Sequence, residues 1–420
     1  MKSIFKRIWL ILLSVGPGIF CIGYTIGTGS VTSMAKAGSE FGMQLLWVLF
    51  LSVLFSWVLM EAYGRYAVVT GETALFSIRR KIRHGNILAI LIIIGVVTAQ
   101  WTCLSGIMGL TSAMMYELFH MFIPKLSPEN YWAVLGIAVF MIVLLYGMLL
   151  VGRYSFFEKI LIVFVTIMGA SFLFSMFIVL PSPAEILKGF VPSIPAVPGG
   201  KLMVAAFVGT TMAAPTFVVR PLLMKGKGWG KENTKEQTRD ALTSAILMFV
   251  ISGSIMATAT GALFHEGKTI NKVLDMVYTL EPLVGKYAVA VFVFGAMSAG
   301  LSSVFPILMV APLLFADYKK GELDTRSRQF KILTAIAGVI GLTVPILGAN
   351  PVMAQVATQV SAVFVLPFVI IAIMILINNK GEMGSYRAGA MLNMGLIAAL
   401  GFSCFIAYTG LVALGQFFGH

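Results

Sequence analysis

Eleven apolar stretches constrain this chain more than any other feature of its sequence. Several carry no charge over the roughly 20 residues that a helix needs to cross a bilayer core. They fall near residues 8–36, 43–69, 86–118, 131–151, 156–180, 202–224, 240–264, 284–316, 330–348, 351–377 and 386–417. Hydrophobic residues make up 59% of the 420 and charged residues only 11%, with a mean hydropathy of +0.94. A soluble domain would have to expose much of that apolar surface, so the expected class is an all-α integral membrane protein of about 11 helices.

The basic residues give the expected orientation, because Lys and Arg concentrate in short cytoplasmic loops. With the N-terminus inside, clusters at Lys2/Lys6/Arg7, Arg79/Arg80/Lys81/Arg83, Arg153/Lys159, Lys225 to Arg239, Lys319 to Lys331 and Lys380/Arg387 are cytoplasmic, 21 of the 30 Lys and Arg. The other side receives seven, including Lys36, Lys125, Lys272 and Lys286, and the C-terminus ends outside at His420. The first run follows basic residues directly and has no small-residue cleavage site before a polar region, so it reads as a retained helix of a multi-pass inner (plasma) membrane protein. The connection at 181–201, with Pro181, Pro183, Pro192, Pro195 and Pro198, is expected to be ordered on the outside.

The net charge of +13 does not point to nucleic acid. The cations are scattered over six short loops and fit topology signals and contact with lipid headgroups. Cys21, Cys103 and Cys404 show no CxxC spacing, and His84, His120, His265 and His420 form no paired-ligand motif. No nucleophile elbow or Walker loop is present, and no enzyme activity or organic cofactor is expected.

What is present are interruptions deep in apolar segments. The first contains Gly23-Tyr24-Thr25-Ile26-Gly27-Thr28-Gly29-Ser30, in which each glycine weakens a helix interior by about 1 kcal/mol relative to alanine. The sixth contains Gly209-Thr210-Thr211-Met212-Ala213-Ala214-Pro215-Thr216, with a proline that removes a helix hydrogen bond. Taken alone, Gly23-x-x-x-Gly27 also fits a close packing surface and Pro215 a tolerated kink. Matched breaks five segments apart instead predict an inverted five-plus-five repeat with a substrate site between the breaks, the plan of a secondary transporter. A single transmembrane domain over 1–420 then divides into a first repeat at about 8–180, a second at about 202–377 and an extra helix at about 386–417.

Gly16-Pro17-Gly18, Ala37-Gly38-x-x-Phe41-Gly42, Thr70-Gly71, Phe157-Glu158-Lys159, Ser302-Ser303 and Leu366-Pro367-Phe368 follow in an order and spacing that resembles the NRAMP divalent-metal transporters over nearly the whole chain. The resemblance implies the LeuT-type fold, with helices 1 and 6 unwound around the substrate. It also exposes departures. Where the family has Asp-Pro-Gly-Asn, this chain has Gly27-Thr28-Gly29-Ser30, and the sixth-helix Met-Pro-His falls on Ala213-Ala214-Pro215. A further sixth-helix histidine position holds Arg220, and acidic positions of the proton route appear as Gln100 and Cys103. The tenth-helix glutamine is kept as Gln359.

Stripping a divalent cation of water in a low-dielectric site costs on the order of tens of kcal/mol by Born estimates, so it needs carboxylates or a full oxygen shell. Without the family's aspartate and methionine, no transition-metal site is expected. Glu61 is the clearest acid inside a span, and Arg65 one turn later marks it as half of an i,i+4 pair. Free N–H groups at Thr28, Gly29 and Ser30, together with Arg220, favour negative charge. The substrate site is therefore expected at Thr25, Gly27, Thr28, Gly29, Ser30, Thr211, Ala213, Ala214, Arg220 and Gln359, with Gln100 on the pathway. The first-helix break is also similar to that of sodium-coupled amino-acid transporters of the same fold class. That likeness implies a coupling sodium ion held by the carbonyls of Gly23, Ile26 and Ala299 and the hydroxyls of Ser302 and Ser303.

The leading expectation is sodium-coupled uptake of a small oxyanion such as bicarbonate or a small carboxylate. The alternative is transport of a divalent cation, Mg²⁺ or Mn²⁺, through a modified site, and a third is a non-transporting receptor or scaffold. Expected partners are the ion substrate and the lipid bilayer. The oligomeric state stays open, a monomer being sufficient.

Overall fold

The computed structural model of the chain describes residues 17–123, 127, 130–150, 154–196, 199–271, 275 and 281–418. The start of the first expected segment at 8–16 with Lys2, Lys6 and Arg7 lies outside these, as do Gly16, Lys125, Arg153, Pro198, Lys272 and His420 and the side chains of Phe157, Glu158 and Lys286.

The described residues form helices and connections without a strand. The first span is two helices, α1 (Gly18–Thr25) and α2 (Thr28–Phe41), followed by α3 (Leu46–Thr70), the short α4 (Ala74–Lys81), α5 (Gly85–Phe122), α6 (Tyr131–Leu149), α7 (Tyr154–Ile178) and the short α8 (Pro183–Lys188). The second half opens with another divided span, α9 (Gly200–Thr211) and α10 (Ala214–Gly226). It continues through α11 (Thr234–Leu263), α12 (Glu281–Lys320), α13 (Arg328–Gly341), α14 (Thr343–Leu347), α15 (Pro351–Ser361) and α16 (Leu366–Ile377), with α17 (Lys380–Met383) and α18 (Ala390–Phe418) at the end. Ten helical stretches among the described residues are long and apolar enough to cross a membrane, and the divided first span accompanies them.

Burial sorts the spans into centre and rim. The most apolar window of the α9–α10 span is 100% buried and that of the α6 span only 28%, so α9–α10 runs through the middle and α6 along the outside. Around α9–α10, α11 packs on α2 and α3, α12 on α5 and α7, and α15 on α5 and α9. The outer helices expose Ile94, Trp132, Val143, Val339 and Met391, an apolar belt that water would not tolerate and lipid chains cover.

The breaks follow from the backbone. Ile26 (φ −94°, ψ 70°) and the extended Gly27 (φ −99°, ψ −171°) end α1 and begin α2. Met212 (φ −96°, ψ 51°) and Ala213 (φ −67°, ψ 114°) do the same in the sixth span. Pro215 lies in the first turn of α10, where its missing N–H has no partner to lose, so it starts a half-helix rather than kinking a continuous one. The proline-rich connection after α7 is held in place over its described part. Ser182 and Glu185 form a reciprocal cap on α8, and the Trp47 indole donates to the Ser193 carbonyl at 3.0 Å.

One end of the bundle is tied by charge outside the spans. Asp317 at the end of α12 accepts from the backbone N–H groups of Leu75 (3.0 Å) and Phe76 (3.3 Å), capping α4 from a distance. Lys81 at the end of α4 pairs with Glu72 at 2.5 Å and with Glu382 of α17 at 2.6 Å, and the Tyr66 hydroxyl donates to Glu382 at 3.0 Å. Burial pushes the Glu72 carboxyl up, but hydrogen bonds from Lys81 and Ser77 outweigh it and hold Glu72 below the usual carboxylate range. Burial pushes Lys81 down, but its bonds to Glu382 and Glu72 raise it above the usual amine range. A depressed carboxylate stabilises above its unfolded pKa of about 4.3 and loses that contribution as pH falls through the folded value. A raised amine stabilises below about 10.4 and loses its contribution as pH rises through the folded value. Lys81→Met is therefore expected to lower stability by about 1 kcal/mol at neutral pH, as partly exposed pairs do. Thermal midpoints of mutant and unmodified protein should converge as pH falls below about 4.

Candidate functional site

The two breaks face each other, and the carbonyl ends of the two first halves find polar partners on other helices. In α1 the carbonyls left without an intrahelical donor are taken up by hydroxyls. Ser303 donates to the Gly23 carbonyl at 2.7 Å and to that of Tyr24 at 3.3 Å, Ser302 to Gly23 at 3.3 Å, and Thr210 to the Thr25 carbonyl at 3.4 Å. In α9 the Thr211 carbonyl accepts from Ser56 of α3 at 3.0 Å. These bonds account for why serine and threonine populate otherwise apolar spans. The second halves begin with the opposite groups. The N–H groups of Thr28, Gly29 and Ser30 have no carbonyl one turn earlier, and Gly27 gives α2 no side-chain cap.

Between the ends lies a small cavity with room for about one water molecule. Of the residues expected to form the site, Gly27, Gly29, Ala213, Gln359 and the pathway residue Gln100 line it. Thr25, Thr28, Ser30, Thr211 and Ala214 are buried beside it without lining it, and the Ser30 hydroxyl faces Ser252 of α11 at 3.5 Å. Tyr24, Cys103, Gly209 and Thr210, none of them expected to touch substrate, also line the cavity, together with Ser303, expected for sodium, and the apolar Ile107 and Ile307. The fit is tight at the glycines. A methyl group built on Gly27 would stand 2.2 Å from the Ser303 hydroxyl, and one on Gly29 1.9 Å from Gln359 Nε2.

Arg220 requires a correction. Its side chain neither lines the cavity nor reaches toward a membrane surface, being fully buried with Nη2 2.6 Å from Asp240 Oδ2 of α11. The same group donates to the Gln237 carbonyl at 3.4 Å, and Asp240 also accepts from the Gly18 N–H at 3.1 Å. The guanidinium charge is thus cancelled within the protein, where it ties α10 and α11 to the start of α1. Glu61 is also internally satisfied, bound by Arg65 at 2.5 Å as the spacing anticipates and further by Gln237 Nε2 at 2.6 Å.

The oxygens named for sodium are brought together in part. Ser302 and Ser303 stand on the Gly23 carbonyl, and Ser302 also bonds the Ala299 carbonyl at 2.9 Å. Ile26 lies in the break, its N–H bonded to the Ile22 carbonyl at 2.9 Å. The group consists of neutral oxygens. Among the described residues no three His, Cys, Asp or Glu side chains converge in a way that could hold a metal ion.

Comparison with known proteins assigns the family. The model of the natural resistance-associated macrophage protein-like family, Nramp, matches residues 18–413. A divalent metal cation transporter, MntH, of Caldanaerobacter subterraneus is 24% identical over 385 residues, covering 89% of this chain and 86% of that protein. MntH of Erwinia tasmaniensis is 24% identical over 376 residues, covering 88% and 87%. The crystal structure of the Eremococcus coleocola manganese transporter in complex with an aromatic bis-isothiourea substituted compound superposes with a TM-score of 0.71 at 16% identity, covering 100% of this chain and 90% of that one. The fold extends beyond close relatives, since MhsT in complex with L-phenylalanine superposes with a TM-score of 0.60 at 12% identity, covering 95% and 98%. The divided first and sixth spans are those of the LeuT-type fold, and the chain belongs to the NRAMP family of membrane transporters.

Proposed function

We propose that this chain carries a divalent cation such as Mg²⁺ or Mn²⁺ that reaches the two breaks with part of its water shell retained. The observation that carries the reading is the neutral, oxygen-bearing wall built by Gln359, Gln100, Thr210 and the backbone around Gly27 and Gly29, in a chain whose relatives are named as divalent metal cation transporters. With no carboxylate in that wall, full dehydration would cost far more than amide and carbonyl oxygens return. A cation that keeps part of its water avoids most of that cost, as Mg²⁺ commonly does, and the water-sized cavity has to widen between the two breaks to admit it. The internal neutralisation of Arg220 removes the one permanent charge that favoured an anion. Incubation in detergent with millimolar Mg²⁺ or Mn²⁺ is expected to raise the thermal midpoint, with bicarbonate giving no comparable shift. A shift with bicarbonate alone contradicts the reading.

The uncapped N–H groups of Thr28, Gly29 and Ser30 favour a second reading, in which a small oxyanion such as bicarbonate is the cargo. In either case sodium fits as the coupling ion, held by Ser302, Ser303 and the carbonyls of Gly23 and Ala299, which offer the hard neutral oxygens a monovalent ion takes. Ser302→Ala with Ser303→Ala is expected to abolish sodium dependence of uptake while the protein stays folded. Uptake with unchanged sodium dependence removes that ion position. The distribution of basic residues supports a cytoplasmic N-terminus for this multi-pass protein, and the matched breaks five spans apart support two repeats of opposite orientation.

A further inference from the structure

Gln355 is completely buried, yet neither its Oε1 nor its Nε2 has a hydrogen-bond partner among the described residues. Leaving two amide atoms unpaired in an apolar interior is costly, and native proteins rarely do so without a water, an ion or a ligand at the spot. On nearby helices the hydroxyls of Ser56, Ser302, Ser303 and Thr210 find acceptors, whereas those of Thr25, Thr28 and Thr211 around the breaks are, like the Gln355 amide, buried without a partner among the described residues.

Gln355 fills space left free by neighbours without side chains. Its amide lies between two glycines on opposing helices. A methyl on Gly29 of α2 would meet Nε2 at 2.6 Å, and one on Gly106 of α5 would meet Oε1 at 2.6 Å. Gln359, four residues on along α15, faces the same Gly29 position at 1.9 Å, so the two amides form successive rungs against one glycine. Thr32 and Ser33, three and four residues after Gly29 and therefore on its side of α2, are buried with unpartnered hydroxyls. The polar strip thus continues from the Gln359 cavity by about one turn toward the Phe41 end of α2.

We propose that Gln355 is a second amide contact for the transported ion, forming an outer binding position one turn from the Gln359 cavity, where the ion sits with part of its water. This rests on the cation reading above, under which Oε1 ligates the ion directly or through a water and Nε2 bonds a water of its shell. Gln355 is then a specificity-determining residue of the transport path.

Gln355→Leu and the longer Gln355→Met separate this role from a structural one, because an amide without partners has no bonds to lose. Purified full-length variants without added ion are expected to melt at or above the temperature of the unmodified protein. In proteoliposomes their half-saturating Mg²⁺ or Mn²⁺ concentration is expected to rise about tenfold, as loss of one polar contact produces. A lowered melting temperature in both variants, or half-saturation within twofold of the unmodified protein while Gln359→Leu raises it, overturns the Gln355 assignment alone. If the unmodified protein moves neither cation, the proposed function itself falls, and the cation contact with it.

Discussion

Replacing Arg220 by alanine is expected to destabilise the protein by about 3–5 kcal/mol, the loss that follows when one member of a buried ion pair is left without the other. Asp240 would then be left in an enclosed position with, among the described residues, the Gly18 N–H as the remaining hydrogen-bond partner of its carboxyl group. Asp240→Ala is expected to be at least as damaging, since it strands the guanidinium and the Gly18 N–H together. Replacing both by apolar residues of similar size, Arg220→Met with Asp240→Leu, should recover much of the loss, because the desolvation of both charges disappears with the pair. Chemical or thermal unfolding in detergent measures all three. An Arg220→Ala protein as stable as the unmodified one would mean that the pair does not hold α10 and α11 to the start of α1.

The second large effect separates two glycines that look alike in sequence. A methyl on Gly29 meets the ends of two flexible side chains, Gln359 and Gln355, which can swing away. A methyl on Gly209 meets the backbone carbonyl of Gln359 at 2.0 Å, which cannot. Gly29→Ala is therefore expected to fold with a nearly unchanged thermal midpoint and to lose at least about tenfold in uptake, because displaced amides no longer reach the cargo. Gly209→Ala is expected to lose the fold, forcing α9 and α15 apart and costing several kcal/mol as overpacking in a tight core does. Equal uptake by Gly29→Ala and the unmodified protein would exclude the Gln359 amide from the site.

The difference between these glycines shows what sequence carries and what it does not. The two breaks were legible because glycine and proline act on the local backbone, and their matched positions in the two halves need no tertiary knowledge. The serines at 302 and 303 were legible as oxygens near the first break, but not the fact that they close carbonyls left open by α1. Arg220 was misplaced because its partner stands at the start of α11, where Asp240 reads as an ordinary acid at the end of a span. Gln355 was passed over although it is a polar residue in an apolar helix, one turn from Gln359. Its spacing offered a signal, but the two glycines that make room for its amide lie on helices far away in sequence. Cargo sign was the least legible feature, because it turns on whether a buried charge is paired, which spacing alone does not reveal.

Uptake into sealed proteoliposomes tests the central claim most directly, with Mg²⁺, Mn²⁺ and bicarbonate offered separately, with and without a sodium gradient. The account predicts saturable uptake of a divalent cation that competes with the other divalent cation and falls sharply in Gly29→Ala. Saturable bicarbonate uptake, with neither Mg²⁺ nor Mn²⁺ carried or competing, would contradict it and restore the oxyanion reading.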